Sequence, residues 1–294
     1  MPDSQQQDKL RTRLLVIFLG VPGLLVVIWL GGWVYVALVA TIVLLGLREY
    51  HKLLQAEHFA PRIITAHLAA IAIFAVYIWQ SGLVSGTIDP ERTGTSFLAI
   101  IFLALIILQV LEVVRPSKGG WTNLALNMVG IIWIAGFSGS FLAIRFVNFS
   151  YPDVGVDVPY RLTLALFVSV WICDALAYLI GKAFGKRKIL PSVSPKKTVT
   201  GTVAGLIGAV LTMVILGYTG VLPMGIFPLT HVLILGVIAG GVGQMGDFVE
   251  SRLKRDFKVK DTGTLLPGHG GVLDRFDSLL FVMPVTYLFL ILIS

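Results

Sequence analysis

The chain has a single cysteine, Cys173, in 294 residues. An intrachain disulfide is therefore excluded, and the redox compartment is not informed by cysteine usage. Charge is also scarce. Asp, Glu, Lys and Arg make up 13% of the residues, about half the share of a soluble domain. There is no low-complexity tract and no convincing internal repeat, which argues against the inverted-repeat plan of many transporters. The basic start at Lys9, Arg11 and Arg13 leads into an apolar run with no clear small-residue cleavage site, so a retained first helix is expected rather than a cleaved signal peptide. What is abundant is apolar: 56% of the residues are hydrophobic and the mean hydropathy is +0.88. A soluble fold is excluded on these grounds, and an all-α integral membrane protein is expected.

A hydrocarbon core of about 30 Å needs about 20 apolar residues per helix. By that ruler nine candidate spans run over 14–30, 33–47, 63–80, 97–114, 122–144, 161–181, 200–222, 229–250 and 273–293. The first two are joined only by Gly31-Gly32, and a single re-entrant hairpin is the alternative there. With the N-terminus in the cytoplasm, 20 of the 23 basic residues fall on cytoplasmic connections. Only Arg92, Arg145 and Arg161 fall opposite, beside Asp89, Glu91, Asp153 and Asp157. This asymmetry predicts nine spans, N-in and C-out. An even count would place the two richest basic loops on opposite faces. Topology and anionic lipid or nucleotide account for the net charge of +7 without nucleic acid. Polar residues suited to chemistry crowd into 174–277, so 1–150 reads as a scaffold of about five spans and 151–294 as the working region of about four.

Four clusters carry the chemistry. In the sixth span Asp174, Tyr178 and Gly181 share one helix face. A carboxylate in mid-span costs about 2.5–3.5 kcal/mol on insertion scales, so Asp174 is either a packed ion-pair partner or a site residue. The following connection holds Lys186-Arg187-Lys188, read as a topogenic loop among headgroups, and then Ser194-Pro195-Lys196-Lys197-Thr198. Pro195 at a helix start with Ser194 as cap would leave amides for an anion, with Lys196, Lys197 and Thr198 as a polyphosphate cradle. The eighth span ends in Gly246-Asp247-x-x-Glu250-Ser251, three polar residues on one face. Last comes the stretch 251–277, with six basic residues, four aspartates and one histidine. Within it Asp274 and Asp277 stand three apart at a helix start. Paired hard carboxylates beside phosphate-binding cations suit magnesium, which takes one or two carboxylates plus substrate phosphates. The plain alternative for Asp274 and Asp277 is complementarity to the helix dipole.

The pattern Ser251-x-Leu253-Lys254-Arg255, Lys260-Asp261-x-Gly263, Leu266-Pro267-x-His269-Gly270-Gly271-Val272-x-Asp274-Arg275-Phe276-Asp277 closely resembles the signature of phosphatidate cytidylyltransferases, also called CDP-diacylglycerol synthases. The blocks around Asp174, Gly185-Lys186, Ser194–Gly201 and Gly246–Ser251 resemble other family blocks in the right order. Thr200 stands where many members have Glu or Gln, and no role is carried over to it. The resemblance implies conversion of phosphatidic acid and CTP to CDP-diacylglycerol and pyrophosphate, with magnesium. It implies Asp247, Asp274 and Asp277 as metal ligands, with Asp174 a further candidate. Lys196, Lys197, Lys254, Arg255 and Arg275 would hold phosphates, with Ser194, Thr198 and Lys260 also at the substrate, and His269 would donate a hydrogen bond. It also implies a second cation, potassium, and a homodimer, in a bacterial inner membrane with the site facing the cytoplasm. Two other readings are weighed beside it. Another CTP-dependent lipid enzyme, a polyprenol or phytol kinase or a synthase for archaeal ether lipids, would lack reason for the His-Gly-Gly-x-x-Asp-Arg-x-Asp block. A cation transporter would spread polar residues along several spans.

Overall fold

The structure is a computed structural model that describes residues 18–80, 90–146, 157–264 and 270–293. Nine helical rods account for nearly all of the described residues, and none of them is in a strand. They are α1 (Phe18–Leu30), α2 (Gly32–Ala56), α3 (Ile63–Gln80), α4 (Pro90–Val114), α5 (Gly120–Phe146), α6 (Val158–Phe184), α7 (Val199–Tyr218), α8 (Leu229–Asp256) and α9 (Leu273–Ile293). Seven are long and apolar enough to cross a membrane, while α1 and α3 are shorter apolar helices. The all-α expectation holds, for the reason that lipid leaves backbone polar groups no partner outside their own segment. Large side chains such as Phe102, Trp121, Leu211 and Leu292 are exposed, as lipid-facing residues are.

The second rod, α2, runs nine residues past its expected end at 47, through Ala56, which makes Arg48, Glu49 and Lys52 helical, and two further differences stand out. First, α5 and α8 each contain a π-helical turn, at Ile131–Gly136 and Ile238–Val242. Second, α8 does not stop near residue 250. It runs on through Asp256, so Arg252, Lys254 and Arg255 are helical. The i,i+4 pairs Arg252–Asp256 and Lys254–Glu250 support that extension.

The chain divides into two compact units, Met1–Leu142 with Val259–Phe276, and Ala143–Lys258 with Asp277–Ser294. The signature stretch is thus split. Val259–Phe276 belongs to the first unit, and Ser251–Lys258 with Asp277 to the second.

In the first unit the buried Tyr50 of α2 donates its hydroxyl to the Leu126 carbonyl of α5 at 3.0 Å. Gly130 makes room for its ring, since a Cβ there would lie 2.8 Å from it. Arg62, at the start of α3, pairs with Glu112 near the end of α4 at 3.1 Å. In the second unit α7 is packed through its glycines. Gly201, Gly205 and Gly208 recur at i, i+4, i+7 and face α6, and Gly236 and Gly240 of α8 face α7. Lipid tails are as apolar as leucine, so helices in a membrane gain by close approach rather than by burying grease. A Cβ at Gly201 would lie 2.4 Å from the Ala177 carbonyl oxygen, and one at Gly205 2.8 Å from that of Cys173. Neither backbone oxygen can move aside without parting the helices. Gly205→Leu is therefore expected to lower the melting temperature of the detergent-solubilised protein by about 5 °C or more, read by a thermal-unfolding scan against wild type.

Candidate functional site

The close approach of α6 and α7 shapes a cleft of about 590 Å³ in the second unit. Asp174 and Tyr178 of α6 line one side, and Gln244 and Asp247 of α8 another. Four lysines complete it: Lys182, Lys188, Lys196 and Lys197. Asp174 lies ten residues before the end of α6, about 15 Å along the axis. The cleft therefore combines carboxylates with a cationic mouth.

The mouth is a tied loop. The Val199 amide donates to the Arg187 carbonyl at 2.9 Å, Ile189 to Lys197 at 3.3 Å, and Lys188 forms an isolated antiparallel bridge with Thr198. Gly185 sits so close that a Cβ would meet the Thr198 hydroxyl at 2.3 Å. The helix that follows starts later than expected. Ser194 and Pro195 lie in a turn, and Thr198 is the N-cap of α7. Its backbone is extended and its hydroxyl accepts from the Gly201 amide at 3.2 Å. The cap is displaced because the loop's bonds to Arg187 and Lys188 hold Thr198 outside the helix while its hydroxyl reaches Gly201.

Asp247 is half-buried. It pairs through Oδ2 with the Lys197 ammonium, and its Oδ1 accepts from the Ser251 hydroxyl at 3.2 Å. Lys197 also lies over the Phe248 ring, 4.4 Å from its centre. Asp277 of α9 is close by. A Cβ at Gly246 would lie 2.6 Å from the Asp277 carbonyl oxygen, and Asp277 feels the charges of Asp247, Asp174 and Lys254. Among the described residues no three His, Cys, Asp or Glu side chains form a ready-made metal cluster. A magnesium site completed by substrate phosphates needs only one or two carboxylates, and hard carboxylate oxygens with lysines beside them fit that kind of site. Of the other residues expected here, Lys254 pairs with the fully buried Glu250. Arg255 donates from Nε to the Val193 carbonyl at 3.2 Å, which ties α8 to the loop.

Of the remaining signature residues, the described ones in the first unit gather around a group that the sequence did not single out. Glu49 of α2 is buried. Its Oε1 accepts from the Val272 amide at 2.9 Å, and its Oε2 from the Leu273 amide at 3.0 Å and the Thr262 hydroxyl at 3.2 Å. Asp274 is also buried, and its Oδ2 accepts from the amides of Thr262 and Gly271, both at 2.8 Å, and from the Thr262 hydroxyl at 3.0 Å. These bonds satisfy amides at the start of α9 that have no helical partner. They also explain two signature glycines. A Cβ at Gly263 would lie 2.5 Å from the Glu49 carboxylate, and one at Gly271 2.4 Å from it. Arg275 and Lys260 are exposed. His269 lies outside the described residues. The signal for Glu49 was faint. It is one acid between Arg48 and Lys52, at the end of an apolar run, and only the tertiary fold brings it to residues more than 200 positions away.

Glu49→Ala would leave two buried amides without an acceptor, at about 1–3 kcal/mol each. The variant is expected to melt well below wild type and to expose the 259–276 segment to protease, followed by limited proteolysis in detergent.

The sequence matches the Cytidylyltransferase family over residues 11–293. The phosphatidate cytidylyltransferase of Synechocystis is 30% identical over 282 residues, covering 90% of each chain. That of Bacillus subtilis is 36% identical over 206 residues, covering 69% of this chain and 72% of its own. That of Staphylococcus aureus strain COL is 46% identical over 129 residues, covering 44% and 48%. With a lysine-rimmed carboxylate cleft set among apolar helices, and a family match over nearly the whole length, the chain belongs to the phosphatidate cytidylyltransferase family of nucleotidyltransferases.

Proposed function

We propose that this protein transfers the cytidylyl group of CTP to phosphatidic acid, giving CDP-diacylglycerol and pyrophosphate. The observation that carries this reading is the cleft that Asp174 and Asp247 line together with four lysines. The nucleophile comes with the substrate. An oxygen of the lipid phosphate forms a bond to the α-phosphorus of CTP, and the bond from that phosphorus to the bridging oxygen breaks, releasing pyrophosphate. No enzyme nucleophile is needed, and catalysis consists of alignment and charge neutralisation.

Lys196 and Lys197, helped by Lys182 and Lys188 at the same mouth, would hold the phosphates. Ser194 and Thr198 lie on the loop that carries them. Lys197 is paired with Asp247 in the structure, and it would exchange that carboxylate for a phosphate oxygen when nucleotide arrives. Asp247 and Asp277 would hold magnesium, with Asp174 and Asp274 as further candidates. When bound, that ion would offset the charge that gathers on the phosphates. Lys254, Arg255, Lys260 and Arg275 would steer anionic substrates, and His269 would donate to a phosphate. Asp274, held by fixed backbone donors, would contribute chiefly by shaping the start of α9. A second cation, potassium, and a homodimer remain part of the proposal on the resemblance to the family. The basic connections support nine spans, N-in and C-out, in a bacterial inner membrane with the cleft facing the cytoplasm.

The test is the purified protein in detergent with phosphatidic acid, magnesium and CTP labelled at the α-phosphate. Label is expected in the lipid product, and transfer from the γ-position alone would instead mark a kinase. Asp277→Asn is expected to cut turnover by about 10²-fold or more with an unchanged melting curve. Near-wild-type activity of that variant across a magnesium titration would remove Asp277 from the metal site.

A further inference from the structure

The first unit contains a second cleft that the proposed reaction does not use. It has a volume of about 450 Å³ and is formed by the C-terminal half of α2 and the start of α3, a size typical of ligand sites. Arg48, Lys52 and Gln55 of α2 recur at i, i+4, i+7 and so share one helix face. All three are exposed and line the cleft. Between them His51 is 1% exposed. Among the described residues neither of its ring nitrogens has a hydrogen-bond partner. His67 of α3 stands against it with ring centres 5.5 Å apart, its Nδ1 engaged with the Ile63 carbonyl at 2.8 Å. Leu44, Leu45 and Ile63 form an apolar wall.

A buried imidazole with no partner is costly, and the cost is relieved by a ligand that accepts its N–H. The lining fixes the sign of that ligand. Two permanent cations and two imidazoles line the cleft, and no carboxylate does among the described residues. A metal cation would meet two suitable nitrogens but also the repulsion of Arg48 and Lys52. An anion meets an arginine fork, an ammonium, an amide and an imidazole N–H, which together match the oxygens of a phosphoryl group. We propose that this cleft, built by Arg48, His51, Lys52 and Gln55, binds a phosphoryl anion at a site additional to that of cytidylyl transfer. A phospholipid headgroup and a soluble phosphate share this chemistry. The apolar wall favours the headgroup, since it offers the adjoining glycerol and acyl carbons a surface.

The experiment uses the full chain in phosphatidylcholine nanodiscs, with thermal stability and native-mass lipid occupancy as readouts. Phosphatidylglycerol, which is neither substrate nor product of the proposed reaction, is titrated into the discs, and inorganic phosphate is added in a parallel arm. The anionic lipid is expected to raise the melting temperature and to occupy one site per chain. The double variant Arg48→Ala/Lys52→Ala should bind it about 30-fold more weakly, roughly the combined worth of two basic residues at a membrane surface. His51→Phe removes the N–H while filling the same space. It is expected to fold at least as stably as wild type and to bind the lipid more weakly. Lys197→Ala should retain the full effect, which separates this site from the catalytic cleft. A response to phosphatidylglycerol alone identifies the source as a headgroup, and an equal response to inorganic phosphate identifies a soluble one. Binding unchanged in the double variant or in His51→Phe overturns the proposal, as does stabilisation by zinc with none by either anion.

Discussion

A carboxylate buried away from water must find donors, and in this protein the buried Glu49 finds them in the backbone of the signature segment. The Val272 and Leu273 amides and the Thr262 hydroxyl converge on it. Without that acceptor the start of α9 would carry unpaired amides in a buried setting. The glycines at 263 and 271 are the spatial counterpart of the same constraint, because any side chain there would occupy the place of the carboxylate. Thr262 lends its hydroxyl to Glu49 and to Asp274 alike, so the two acids form one network. Its backbone members are bonds from rigid amides with little conformational freedom left to lose, and the one proton of the Thr262 hydroxyl is shared between the two acids.

In the cleft of the second unit Asp247 is held differently. Asp247 is met by a lysine and a serine, side chains that can turn to another partner. The contrast separates two uses of the same chemical group. Acids bonded to backbone amides hold a segment in place. An acid bonded to an accessible lysine keeps an exchangeable counter-charge, which suits the phosphate binding proposed for this cleft. The glycines of α7 that face α6, and those of α8 that face α7, serve that cleft indirectly, because they let the three helices come close enough for Asp174 and Asp247 to line one space.

Much of this was legible in the sequence. Long apolar runs broken by basic connections mark helices in lipid whatever the tertiary fold. The spacing of Asp, Lys and Gly in 251–277 is specific enough to place the family. The failures have local causes. Ser194-Pro195 reads as the cap, and only the backbone bonds of the loop to Arg187 and Lys188 move the helix start to Thr198. The charge density after Glu250 reads as a loop. The helix continues because Arg252 and Lys254 meet Asp256 and Glu250 one turn away. Glu49 was missed because its partners are defined by tertiary contact alone.

The π-helical turn at Ile238–Val242 has an effect on angular phase. A π-turn accommodates one residue beyond the α-helical count, and each residue of an α-helix advances the azimuth by about 100°. Every side chain after the turn is therefore rotated by about that angle relative to a continuous helix drawn from Leu229. Gln244, Asp247 and Ser251 lie beyond it, so their common azimuth is set by the inserted residue rather than by the apolar stripe of the preceding half. The polar end of α8 can thus face the cleft while its apolar beginning keeps a different face for packing, within a single unbroken rod.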